Sequence, residues 1–103
     1  MISIYIYLDR QSHAEELMHD LLEKKLAAHA SVDFDNIIST YEEGKLKTKK
    51  QCLITIQTKG LLFTPVVKLV QEKFGADTRI YSLPITQANE AFSDYIRENT
   101  LKT

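Results

Sequence analysis

Apolar and polar positions alternate from the start of the chain: Ile2, Ile4, Ile6 and Leu8 share one parity, and Ser3, Tyr5 and Tyr7 the other. That period of two predicts a strand with one face toward a core and an aromatic second face. The period then lengthens. Ala14, Leu17, Met18, Leu21, Leu22 and Leu26 recur at helical intervals, and Ser12 with Glu15 has capping-box spacing, so a helix is predicted from Ser12 to about Ala28. Between Ser31 and Tyr41 the pattern is strand-like but irregular. Val32 and Phe34 share a parity while Ile37 and Ile38 are adjacent, which predicts a bulge or bend near Asp35-Asn36. Glu43-Gly44 is the turn, and residues 45–59 form a second arm with Cys52, Ile54 and Ile56 on its apolar face. Residues 31–59 therefore read as a long antiparallel hairpin whose tip projects from the body.

Thr64-Pro65 reads as an N-cap followed by a first-turn proline, and Val66, Val67, Val70 and Phe74 as the stripe of a second helix stopped by Gly75. Residues 79–86 predict a fourth strand with Tyr81, Leu83 and Ile85 on one parity. Pro84 cannot donate to a ladder and marks an edge or a local break. A short last helix starts near Asn89 and uses Phe92, Tyr95 and Ile96. The order β-α-β-β-α-β-α predicts an α+β class, a ferredoxin-like βαββαβ sandwich. It has an antiparallel sheet, two helices on one face, an extended hairpin between the second and third strands, and an extra C-terminal helix. The other face is left open and receives Tyr5 and Tyr7. An aromatic open face marks an interaction surface, although tyrosines also suit strands with their hydroxyls in water.

Composition sets bounds on this picture. A chain of 103 residues with 44% hydrophobic content fits a single domain, residues 1–103, and leaves little for a second. Thirteen basic and fourteen acidic residues give a formal net charge of −1, which offers no overall attraction to nucleic acid or an anionic membrane. The apolar first segment meets Asp9-Arg10 too soon for a signal peptide or a membrane span. A lone Cys52 permits no disulfide within the chain. Both features point to a cytoplasmic protein.

Several segments, taken together, resemble the CutA family of divalent-cation-tolerance proteins nearly end to end. They are Glu23-Lys24-Lys25-Leu26-Ala27-Ala28, Tyr41-Glu42-Glu43-Gly44-Lys45-Leu46, Leu53-Ile54-Thr55-Ile56-Gln57-Thr58 and Leu83-Pro84-Ile85. The first two carry most of the specificity. The resemblance implies a tight homotrimer in which the hairpins extend sheets across subunits, a cytoplasmic location, binding of divalent copper and no established enzymatic activity. It also places His29 where the family commonly has cysteine, and Glu42-Glu43-Gly44 where it has Trp-Glu-Gly. The family's His-Pro-Tyr-x-x-Pro-Glu segment is replaced by Lys73-Phe74-Gly75-Ala76-Asp77-Thr78-Arg79, its Lys-Thr pair by Gln57-Thr58, and its first-strand threonine falls at Tyr7. These departures predict a copper site weaker than the family's.

A copper or zinc centre needs imidazole, thiolate or carboxylate groups converging on one point. His13, His19 and His29 are six and ten residues apart and do not form an i, i+4 pair. His29 occupies the position of a soft ligand and is the candidate metal ligand. Its structural alternative is a helix C-terminal residue facing the dipole. Cys52, on the core face of its strand, reads as a small buried hydrophobe. Lys45, Lys47, Lys49 and Lys50 form a basic run that either grips an anion across a subunit boundary or protects a strand edge. An RNA-recognition reading fails, because residues 51–59 carry no aromatic and the chain is not basic. The sequence shows no phosphate loop, paired-histidine motif or nucleophile elbow. Two non-catalytic readings stand. One is a CutA-like trimer with weak copper binding. The other is a regulatory trimer that binds a small metabolite or anion in subunit clefts, near Tyr41, Glu43, Lys45, Lys47 and Gln57, with Tyr5 and Tyr7 between subunits.

Overall fold

In the computed structural model, which describes residues 1–102, the alternating N-terminal segment forms β1 (Ile2–Leu8). Ile4 and Ile6 are fully buried and Leu8 nearly so, whereas Tyr5 and Tyr7 on the other face are half-buried. Next come α1 (Gln11–Glu23), β2 (His29–Glu42) and β3 (Lys45–Thr58), then a short 3-10 turn at Gly60–Leu62. The chain continues through α2 (Phe63–Phe74), β4 (Ile80–Pro84) and α3 (Glu90–Glu98). The sheet order is β2-β3-β1-β4, with every neighbouring pair antiparallel. This is the ferredoxin-like split β-α-β arrangement expected from the element order. β4 is an edge strand, so Pro84 removes no ladder bond that a central strand would need.

The core lies between the sheet and the helices. Ile4 and Ile6 of β1, Ile54 and Ile56 of β3, Leu17 and Leu21 of α1 and Val66 and Val70 of α2 are all fully buried. Each such aliphatic side chain stabilises the fold by about 1.5–3 kcal/mol through burial alone. α3 closes one end of the molecule around the corner between α1 and β2. The Tyr95 hydroxyl donates to the Ala28 carbonyl at 3.2 Å, the Leu101 amide to Lys25 at 2.9 Å, and the Thr58 hydroxyl to Leu26 at 2.7 Å.

Helix boundaries depart from the sequence reading in three places. The Ser12–Glu15 capping box does not form. Arg10 is the N-cap, with no side-chain hydrogen bond, and Gln11 bonds Glu15 one turn later at 3.0 Å. Thr64 likewise is not a cap, because the 3-10 turn feeds directly into α2 and Leu62 takes that position. Last, α1 stops at Glu23 rather than near Ala28. Lys25 adopts φ 57°, and the Leu26 amide reaches back to the Leu21 carbonyl at 2.9 Å while the Lys25 amide reaches Leu22 at 3.1 Å. These are the two bonds of a Schellman motif, with buried Leu26 against buried Leu21 as its apolar contact. His29 therefore begins a strand and does not end a helix.

The bulge expected near Asp35-Asn36 is present as a register shift between Asp33 and Asn36, and the Asp33 carboxylate accepts the Asp35 amide at 2.8 Å. Its consequence is an inversion of parity. Before it, Ala30, Val32 and Phe34 pack on the core; after it, Ile38 and Thr40 turn to the open-face side and leave Ile37 and Tyr41 61% and 78% exposed. The turn follows at Glu43 (φ 54°) and Gly44 (φ 75°), two left-handed residues as a two-residue type I′ hairpin requires.

α1 and α2 are joined through Lys73, which bonds Asp20 at 2.7 Å and Glu16 at 3.1 Å. The Lys73 ammonium holds the Asp20 carboxyl below its ordinary range, and Asp20 and Glu16 raise Lys73 in turn.

Two outcomes follow from these contacts. Replacing Lys25, a non-glycine residue in the left-handed region, by glycine should raise stability by about 1 kcal/mol in urea unfolding. A neutral or destabilising change would contradict the Schellman assignment. The depressed carboxyl of Asp20 contributes stability that is present above its unfolded value and lost as pH falls through the folded one. Lys73→Met should therefore flatten the decline of stability between about pH 5 and pH 3, measured by urea melts across that range.

Candidate functional site

The register defines a grid of side chains on the open face. His29 stands opposite Gln57, Gln57 opposite Ser3, and Ser3 opposite Leu83; the next row runs Ser31, Thr55, Tyr5, Tyr81. Along the first row, His29 Nδ1 lies 2.8 Å from Gln57 Oε1, and Gln57 Nε2 donates to the Ser3 hydroxyl at 3.3 Å. Since the amide nitrogen is used toward Ser3, the amide oxygen must accept from Nδ1–H. This leaves the Nε2 lone pair of the exposed His29 directed elsewhere. In the second row, Tyr5 stacks on Tyr81 with ring centroids 4.9 Å apart, and Tyr7 lies 6.3 Å from the same ring. The neighbouring Tyr7 hydroxyl, then desolvation, pushes the Tyr81 phenol up. Tyr5 and Tyr7 thus belong to a three-ring patch continued by Leu83, which is 51% exposed.

A donor in this orientation is how metal-bound histidines are held, but one imidazole does not make a site. Among the described residues no group of three or more His, Cys, Asp and Glu side chains is placed to hold a metal ion. His13 packs on Phe74 at 5.1 Å and His19 lies 3.4 Å from Glu23, so neither accompanies His29. The other atoms near His29, an amide and a hydroxyl, are poor partners for copper. The residues of one chain therefore do not fit a copper centre. Cys52 is buried, and burial, ahead of the surrounding carboxylates, pushes its thiol up, as suits an inert core residue.

The remaining sequence-derived candidates fall at opposite ends of the hairpin. Tyr41, Glu43 and Lys45 lie at its tip and are exposed, with Tyr41 directly across from Leu46. Lys47 pairs with Glu42 at 3.3 Å, Lys49 with Asp9 at 3.8 Å and Lys50 with Asp35 at 3.3 Å. Such exposed pairs add little stability, but they neutralise most of the basic run. Gln57 is ten residues along β3 from Lys47, roughly 33 Å away in an extended strand, so a single chain does not bring these two together.

A cleft that the sequence did not signal opens where β1 passes into α1. It has a volume of about 460 Å³ and is lined by Asp9, Arg10, Lys49, Gln51 and Arg79 among others. Gln51 donates from Nε2 to Asp9 Oδ1 at 2.7 Å and is only 8% exposed. Its partner lies 42 residues away, so no local pattern announced the pair. On the hairpin side of Arg79 a second groove of about 420 Å³ runs past Ile38, Thr40, Lys47 and Lys49.

These features define a ferredoxin-like α+β protein with one open sheet face and a projecting hairpin. The profile of the family described as CutA1 divalent ion tolerance protein matches residues 2–99, and the chain belongs to that family. Among curated proteins it is 26% identical over 101 residues to the chloroplastic protein CutA of Arabidopsis thaliana, covering 96% of this chain and 55% of that protein. The chain thus spans about half the length of that curated relative. Among solved structures, the periplasmic divalent cation tolerance protein CutA of Archaeoglobus fulgidus is 29% identical, with a TM-score of 0.85 over 96% of this chain and 98% of that one. CutA1 of Oryza sativa, 20% identical, superposes with a TM-score of 0.89 over 99% of this chain and 94% of its own, a likeness of fold. No helix among the described residues is long and apolar enough to cross a membrane.

Proposed function

We propose that the chain is a non-catalytic, homotrimeric divalent-cation-tolerance protein of the cytoplasm, assembled by hairpins that reach onto neighbouring sheets. The observation that carries this reading is the unsupported distal ribbon. β1 pairs with β3 only as far as Cys52, so Lys45–Gln51 is held by β2 alone. An isolated two-stranded ribbon is marginal in water, and this one exposes Ile37, Tyr41 and Leu46. The open face offers Tyr5, Tyr7, Tyr81 and Leu83 as a complementary apolar surface. Tip and face are different patches of one chain. Their contact is therefore head-to-tail and closes most simply as a ring, which supports the trimer implied by the family. The cytoplasmic assignment draws on the lone, buried Cys52, which has no partner for a disulfide within the chain.

Copper enters this reading as a weak ligand at His29. Each chain supplies one imidazole with a free Nε2, and a tighter centre needs groups from other subunits. A second reading, a regulatory trimer that takes a small metabolite or anion at its clefts, draws on the groove between Thr40, Lys47 and Arg79. In that reading Tyr41, Glu43 and Lys45 at the hairpin tip of one subunit would face Gln57 of another.

Light scattering at micromolar concentration should give three times the chain mass, and Tyr5→Asp or Tyr7→Asp should lower it. A stable wild-type monomer overturns the assembly, and an unchanged mass in both variants places the tyrosines in solvent. Calorimetric titration with copper should show weak binding that His29→Ala removes. Tight stoichiometric binding that survives the substitution would put the metal elsewhere.

A further inference from the structure

The outer ribbon and the open face that it is proposed to cover carry ladders of matching length. One face of the ribbon presents Ile37 beside Lys50, Ser39 beside Thr48 and Tyr41 beside Leu46. Lys50 is paired with Asp35 at 3.3 Å, and the Ser39 and Thr48 hydroxyls bond each other at 2.9 Å, so this face holds no unmatched charge. On the body, Ser3 stands beside Leu83 and Tyr5 beside Tyr81, and the Tyr7 amide donates to the Arg79 carbonyl at 3.1 Å, which sets Tyr7 beside Arg79. The runs from Ile37 to Tyr41 and from Arg79 to Leu83 each span about 13 Å of extended strand. The rungs of the ribbon therefore match those of the body in spacing, and can lie along them in either of two senses.

Charge distinguishes the two senses. On the outer ribbon Glu42 is paired with Lys47 at 3.3 Å, whereas Glu43, exposed at the turn, makes no ion pair among the described residues. Glu43 also occupies a left-handed position, φ 54°, which asparagine, aspartate or glycine fills at lower cost. A strained residue of this kind points to a contact that needs its side chain. Arg79 stands at one end of the aromatic rows and lines a cavity of about 520 Å³ with Tyr7 and Tyr81. It too is exposed and makes no ion pair among the described residues. At the other end of the patch, the row of His29, Gln57, Ser3 and Leu83 holds neither lysine nor arginine.

We propose that the ribbon lies on the neighbouring subunit with its tip toward Arg79, and that Glu43 of one chain pairs with Arg79 of the next. This rests on the assembly proposed above and adds the sense in which the ribbon crosses the sheet. The guanidinium takes the carboxylate with two parallel N–H bonds, beside aromatic rings that Tyr41 and Leu46 help to shield from water. The opposite sense sets the tip beside Gln57 and leaves both charges unmatched at the contact, which costs affinity.

Sedimentation equilibrium of the intact protein, in urea sufficient to half-dissociate the wild type, tests this by charge reversal. Glu43→Arg and Arg79→Glu should each raise the concentration needed for assembly at least about tenfold, and the double variant should return it to within about threefold of wild type. Mixing the two single variants should restore assembly in part, because a trimer built from both retains one like-charged contact. Glu43→Gly should relax the turn and still weaken assembly. A double variant that assembles no better than the single ones overturns the pair, as do single variants that assemble like the wild type. So does Glu43→Gly with unchanged or tighter assembly, which would leave Glu43 a turn residue only. A wild-type chain that sediments as a monomer without urea overturns the assembly itself, so the two failures are told apart.

Discussion

Everything distinctive about this molecule depends on β3 running past the end of its partner strand. From Cys52 to Thr58 it is a central strand, paired on both sides and packed under the helices, with Ile54 and Ile56 fully buried. From Lys45 to Gln51 it has β2 alone. The backbone hydrogen bonds of the outer half are made, but almost no apolar surface is buried there, and burial is what stabilises a sheet. The molecule accordingly measures 46 Å in its longest dimension against 21 Å in its shortest. In the proposed assembly another surface covers this extension.

The bulge between Asp33 and Asn36 decides which surface that is. Without it, β2 would keep one parity and Ile38 would continue the core face of Val32 and Phe34 beyond the end of the core. With it, Ile38 and Thr40 line grooves beside Arg79, and Ile37 and Tyr41 point the other way. One extra residue therefore gives the ribbon two usable faces, and in the proposed assembly the three aromatic rings on the body meet one of them.

Much of this was legible in the sequence, and the parts that were not share a physical cause. Strand periods, the Glu43-Gly44 turn and the adjacent isoleucines at the bulge are local signals, and the element order they imply is the one found. The end of α1 was illegible because lysine, a good helix former, occupies the left-handed position at Lys25 that glycine usually marks. Ser12 looks like a cap but is overridden by the path of the chain out of β1. For the candidate site the balance is reversed. His29 was visible as an isolated imidazole, and its Gln57–Ser3 support required the register of three strands. Gln51 and Asp9 make a contact across 42 residues, and the separation of Tyr41 and Lys47 from Gln57 depends on a straight β3, so neither can be read from spacing.

The central claim is that the outer ribbon is stabilised by a neighbouring subunit through the tyrosine face. Amide hydrogen exchange of residues 37–51, compared between the wild-type chain and Tyr7→Asp, tests it most directly. The account predicts protection of these amides close to that of Ile54 and Ile56 in the wild type. It also predicts selective loss of protection in the ribbon of the variant while the core stays protected. Ribbon amides that exchange freely in the wild type, or that stay protected in a variant shown to be monomeric, would contradict it.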